Sequence, residues 1–112
     1  MNKYTEMSDL EINKRVFVAA KIEHEDTDLH SNKVFYGDGA KWIEFNPCNN
    51  PADAMPIIIE NKIGMNFIGN IVGWSASHIC ESKGELEVCD KNYYRAAMTC
   101  FLIMKGDENE KV

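Results

Sequence analysis

Phe45-Asn46-Pro47-Cys48-Asn49-Asn50-Pro51-Ala52-Asp53-Ala54-Met55-Pro56-Ile57-Ile58-Ile59-Glu60 holds the turn around which the rest of the chain is arranged. Asn50 is a preferred helix N-cap, and Pro51 suits the first helical position because its missing N–H would have no partner there. Asp53 then meets the positive end of the helix dipole. Ala54, Met55, Ile58 and Ile59 recur at helical spacing, which predicts a helix over about 51–62. Pro56 inside it predicts a kink or a loosened first turn, and Gly64 is the expected point of exit from the helical register.

Upstream of the turn, Lys41-Trp42-Ile43-Glu44-Phe45 reads as a strand with Ile43 and Phe45 on one face, ended by Pro47. Gly37-Asp38-Gly39 is a turn signal before it, and Val34-Phe35-Tyr36 fits a short strand. Lys21 to Asp28 reads as a polar connection. Earlier still, Ser8 and Glu11 form a capping box ahead of Ile12, Val16, Ala19 and Ala20, which mark one face of a helix over about 9–21.

Downstream, Gly69-Asn70 is a two-residue turn signal that pairs Met65–Ile68 with Ile71–Ile79 as a hairpin. Val72, Trp74, Ala76 and His78 then share one face, with Ser75 and Ser77 on the other. Leu86–Cys89 fits a further short strand. A last helix over about 92–105, capped by Asp90 or Asn92, is apolar nearly all round and should be largely buried. Gly106 stops it. The order of elements predicts an α+β domain, a small mainly antiparallel sheet with three helices packed on it.

A chain of 112 residues has the length of a single domain, here with residues 1–7 and 107–112 as flexible tails. Twelve basic and eighteen acidic residues give a formal charge of −6, which repels phosphate backbones and argues against nucleic-acid binding. Met1–Lys14 is polar and charged and therefore unlike a signal peptide, and no apolar run approaches the ~20 residues of a membrane span. A cytoplasmic protein is expected, with Cys48, Cys80, Cys89 and Cys100 as reduced thiols.

Three stretches together resemble the NinX-like family of small proteins from lambdoid bacteriophages and prophages. They are Met7-Ser8-Asp9-Leu10-Glu11-Ile12-Asn13-Lys14, the Asn-Pro-Ala-Asp-Ala-x-Pro-Ile-Ile segment from Asn50 to Ile58, and the Arg-Ala-Ala-Met-x-x-Phe-Leu-x-Met helix from Arg95 to Met104. The resemblance spans most of residues 7–105. Met55 stands where the family typically has tryptophan, and the segment Cys80–Cys89 is longer than usual. What the resemblance implies is a phage origin and an α/β sandwich, without a mechanism.

Several residues are candidates for chemistry. His78, Cys80 and Cys89 are soft donors that zinc accepts, but no Cys-x-x-Cys pair accompanies them, so no metal and no cofactor is expected. Cys48 precedes a helix N-terminus, a place that lowers a thiol pKa, but no base can be assigned to it and no catalytic residue is named. Asn46, Asn49, Asn50 and Asp53 cluster at the same helix start, where they either bind an anion or make the turn. Trp42 and Trp74 lie on predicted strands beside polar neighbours and are either core residues or contact residues. The expectation is a non-enzymatic accessory protein that contacts a host or phage protein, or a second copy of itself, through Trp42, Asn46, Asn49, Asn50 and Trp74. The alternative is a small-ligand or catalytic site at the Cys48–Asp53 turn.

Overall fold

The structure, a computed structural model, describes residues 3–22, 26–28, 33–38, 41–80 and 84–106. Its helices are α1 (Asp9–Ala19), α2 (Pro51–Glu60) and α3 (Tyr93–Met104), and its strands are β1 (Asp26–Asp28), β2 (Val34–Asp38), β3 (Lys41–Phe45), β4 (Gly64–Gly69), β5 (Gly73–Cys80) and β6 (Gly84–Asp90). The α+β class and the antiparallel pairing agree with the sequence. The strands fall into two three-stranded sheets, β1-β2-β3 and β4-β5-β6, where one sheet was expected. β3 pairs with its hairpin neighbour β2, and the chain then leaves through α2.

Each helix begins on the cap its sequence offers. Ser8 and Glu11 form a reciprocal capping box at α1, Asn50 accepts from the Ala52 N–H at α2, and Asn92 accepts from the Tyr94 and Arg95 N–H groups at α3. The exit from α2 differs from expectation. Lys62, and not Gly64, takes the left-handed conformation (φ 57°), with its N–H on the Ile59 carbonyl and the Ile63 N–H on the Ile58 carbonyl. This places Ile63 in the core and frees Gly64 to begin β4. α2 runs unbroken through Pro56, which lies on its exposed side.

α3 is the central element. Ala96 to Leu102 are all buried, because α3 packs on β5 and β6 and also receives α1 and α2. α1 joins the first sheet to this core through Phe17, whose ring lies 5.7 Å from Tyr36 and 5.6 Å from Phe45. The N-terminal arm departs from the loose tail expected for residues 1–7. Lys3–Glu6 form a 3-10 turn, Tyr4 is buried, and Arg95 of α3 donates to the Tyr4 and Met7 carbonyls. The tail at 107–112 and the Gly39 part of the first turn signal lie outside the described residues. A strand at Asp26–Asp28 replaces the end of the polar connection.

The second hairpin turns later than its sequence suggested. Gly69 pairs with Gly73, with a register shift after Phe67, so Asn70, Ile71 and Val72 form the loop. Gly73 explains the delay. It sits at φ 96°, and a Cβ there would lie 2.5 Å from the Lys91 backbone, so the strand can start only at a glycine.

Candidate functional site

The turn between β3 and α2 is held by polar groups from four parts of the chain. The Asn46 N–H donates to Asp53 Oδ2 (2.8 Å), and Asn46 Oδ1 accepts from Asn13 Nδ2 (2.8 Å) and Asn49 Nδ2 (3.0 Å). Asn13 Oδ1 accepts from the Cys48 N–H at 3.1 Å, and Asn92 Nδ2 donates to the Cys48 carbonyl at 3.2 Å. Asn49 Nδ2 also reaches Asp9 Oδ2 at 3.3 Å. Asp9 in turn pairs with Arg95 at 2.7 Å, and Arg95 pairs with Asp90 at 3.2 Å. Asn46, Asn49 and Asn50 are thus brought together as expected, and their side chains are engaged within the protein. Asn50 caps α2, while Asn46 and Asn49 bind the turn to α1.

This arrangement works against thiolate chemistry. Cys48 is fully buried, and burial, followed by the negative charge of Asp9, pushes its pKa up to about 12 despite the opposing Arg95 charge. The helix N-terminus does not compensate for that desolvation, so the lowering expected from position alone is absent. Asp53 is also shifted upward, chiefly by burial, although the Asn46 N–H bond opposes the shift. Cys100 is buried on α3 with its pKa raised to about 11, and Cys89 is exposed.

The zinc candidates are separated by the register of β5 and β6. His78 lies opposite Leu86, on the face that carries Ala76 and Val88, while Cys89 lies opposite Ser75 on the other face. Among the described residues no group of three His, Cys, Asp or Glu side chains could hold a metal ion. His78 Nδ1 is a buried nitrogen without a hydrogen-bond partner.

The tryptophans part company. β3 pairs with β2 and not with the second hairpin, so Trp42 and Trp74 lie on different sheets. Trp42 is 54% exposed on the face of β3 opposite to Ile43 and Phe45, in register with Gly37. Trp74 is half-buried in a ladder of edge-on rings, 5.2 Å from Phe67 and 4.9 Å from Tyr93. It secures the hairpin to the start of α3.

Two surfaces escaped the sequence reading. One is a groove where the three helices end, with Ile57, Phe101, Val18 and Ala19 in its walls and Lys14, Arg15, Lys21 and Lys105 around them. The available signal was the pair Lys21 and Lys105 just beyond two helix ends. The other is the tip of the second hairpin, where Phe67, Ile68, Ile71 and Val72 are all exposed, Ile71 to 85%. Reading Ile71 and Val72 as strand residues hid it.

The family described as Bacteriophage P22, NinX matches residues 3–105. No curated protein matches the chain. No helix among the described residues is long and apolar enough to cross a membrane.

Proposed function

Because the chain belongs to the bacteriophage P22 NinX family, we propose that it is a phage accessory protein acting by contact with another protein in the host cytoplasm. The observation that carries this reading is the division of labour between polar and aromatic residues. The asparagines that looked like a ligand site are satisfied internally, whereas Trp42, a residue type enriched at binding hot spots, stands exposed beside Glu44. The contact surface is centred on Trp42 and takes in the adjoining Asn46–Asn50 turn. Trp74, on the other sheet, secures the hairpin to α3 and is left out of this surface. A small-ligand or catalytic site at the Cys48–Asp53 turn receives no comparable support, since its thiol is buried and its amides are occupied.

The test is capture of partners from infected host extract by the wild-type protein and by Trp42→Ala. The expected result is a partner retained by wild type and lost by the variant, with both proteins unfolding at the same denaturant midpoint. A partner that binds both equally, or a variant that loses several kcal/mol of stability, as truncation of a buried aromatic would, overturns the assignment.

A further inference from the structure

We infer that the groove at the ends of the three helices receives an acidic peptide segment of a partner protein, with an apolar side chain of that segment on its floor and carboxylates against Lys14, Lys21 and Lys105. The groove exists because α1 and α2 each pack on α3 and scarcely touch one another, so α3 is left as the floor between them. Floor and walls are apolar at Phe101, Ile57 and Val18, and the space they bound is about 880 Å³, within the range of ligand clefts. Phe101 and Ile57 are buried, whereas Val18 stands 65% exposed on the α1 wall, where an apolar side chain of the partner would cover it.

The charge of this groove is opposite to that of the chain. Its lining holds four of the twelve basic residues and two of the eighteen acidic ones, so it is positive in a protein of formal charge −6. Among the described residues Lys14, Lys21 and Lys105 have no carboxylate within ion-pair distance, and Lys105 lies over the Phe101 ring, 5.8 Å from its centroid. Glu11, by contrast, is engaged with the Ser8 N–H in the α1 capping box. Lys21 and Lys105 stand just beyond helix ends and also offset the negative poles of α1 and α3. Lys14 lies in mid-helix and has no such part. The spacing selects the class of anion. Lys14 and Lys21 are two helical turns apart, roughly 10 Å along α1, and Lys105 belongs to another element, so the cations are spread along a slot and do not converge on a point. A lone phosphate or carboxylate cannot serve all three, whereas a peptide with carboxylates spaced along it can. The groove shares no residue with the surface around Trp42, so the two assignments stand or fall separately.

The experiment selects binders of the full wild-type chain from a library of random peptides. The enriched peptides are then measured by fluorescence anisotropy against wild type, Lys14→Glu, Lys21→Glu, Lys105→Glu and Lys91→Glu. Lys91 is exposed and outside the groove, so its reversal makes the same change in total charge and controls for place. The expected result is a set of sequences with several Asp or Glu around an apolar residue. Their affinity should fall roughly tenfold with each groove reversal, since an attraction becomes a repulsion, and should hold for Lys91→Glu. Urea midpoints identify a variant that has lost its fold, and the remaining groove variants then decide. An enriched set without an acidic excess, no enriched set at all, or acidic peptides that bind all the variants alike overturns the inference. So does a wild-type chain that binds phosphatidylglycerol vesicles and no acidic peptide, which would give the lysines to a lipid surface.

Discussion

Arg95→Ala should destabilise the protein by about 3 kcal/mol, and most of that loss should come from backbone carbonyls, not from salt bridges. Arg95 is only 14% exposed and has four partners: Asp9 at 2.7 Å, Asp90 at 3.2 Å, and the carbonyls of Tyr4 at 2.9 Å and Met7 at 2.6 Å. Asp9 and Asp90 keep 43% and 31% of their side-chain surface in water, so loss of the cation leaves them hydrated, at about 0.5 kcal/mol each. The two carbonyls are part-buried acceptors of a charged donor, and each lost bond costs about 1 kcal/mol or more. The sum is about 3 kcal/mol, which corresponds to roughly 12 °C in Tm for a domain of this size. Arg95→Lys keeps the charge but loses the fork that serves several acceptors at once, and should recover less than half of the loss. Urea titration of both variants gives the magnitude. Hydrogen exchange locates it, because release of the clamp should expose amides around Lys3–Ser8 before the rest. If Arg95→Ala costs under about 1 kcal/mol, or Lys replaces it without loss, the clamp is not what holds the N-terminal turn in place.

Thiol alkylation of the native protein should modify Cys89 while Cys48 and Cys100 stay protected until unfolding, as mass spectrometry of labelled peptides will show. Because both buried thiols titrate above their ordinary value of 9.0, the folded state holds protons that the unfolded state gives up. Their contribution to stability is therefore complete below about pH 9 and lost as pH rises toward 11 to 12, which urea midpoints at about pH 7.5 and about pH 10 should reveal as a decrease. Lys62→Gly should stabilise the protein by roughly 0.5 kcal/mol, the relief of a left-handed side-chain residue offset by the greater unfolded-state freedom of glycine, and a loss of stability would contradict the Lys62 geometry. His78→Leu should be neutral or stabilising by up to about 1 kcal/mol, since it removes a buried nitrogen without a partner; a marked loss would mean that Nδ1 has one.

The helices were legible because their boundaries are set locally. Ser8, Asn50 and Asn92 each satisfy an amide two or three residues away, and such a bond is visible in sequence. The strand pairs were legible where a hairpin joins neighbours. What could not be read was set by contacts distant along the chain. Gly73 becomes the start of β5 because the Lys91 backbone crowds it, and Ile63 is drawn into the core by burial, which moves the α2 exit onto Lys62. The division into two sheets is of the same kind, since nothing local to Lys41–Phe45 says that the second hairpin will pair elsewhere.

The asparagine turn shows why composition alone misjudged the site. A cluster of Asn residues at a helix start looks the same in sequence whether its amides face a ligand or the protein. The deciding partners are Asn13, Asp9 and Asn92, which come from two other helix starts. α1, α2 and α3 therefore begin at one polar junction, and that junction fixes their mutual placement by hydrogen bonds, with no need of a bound group. The consequence is an inversion of the usual expectation for a functional surface. The polar groups of this turn are used to assemble the fold, while among the exposed side chains are several large apolar ones, with Trp42 on one sheet and Phe67, Ile68, Ile71 and Val72 on the other. Exposed apolar groups gathered on a strand or a hairpin tip, unlike an amide already bonded within the chain, gain by being covered, so it is there and not at the asparagine turn that a contact is to be sought.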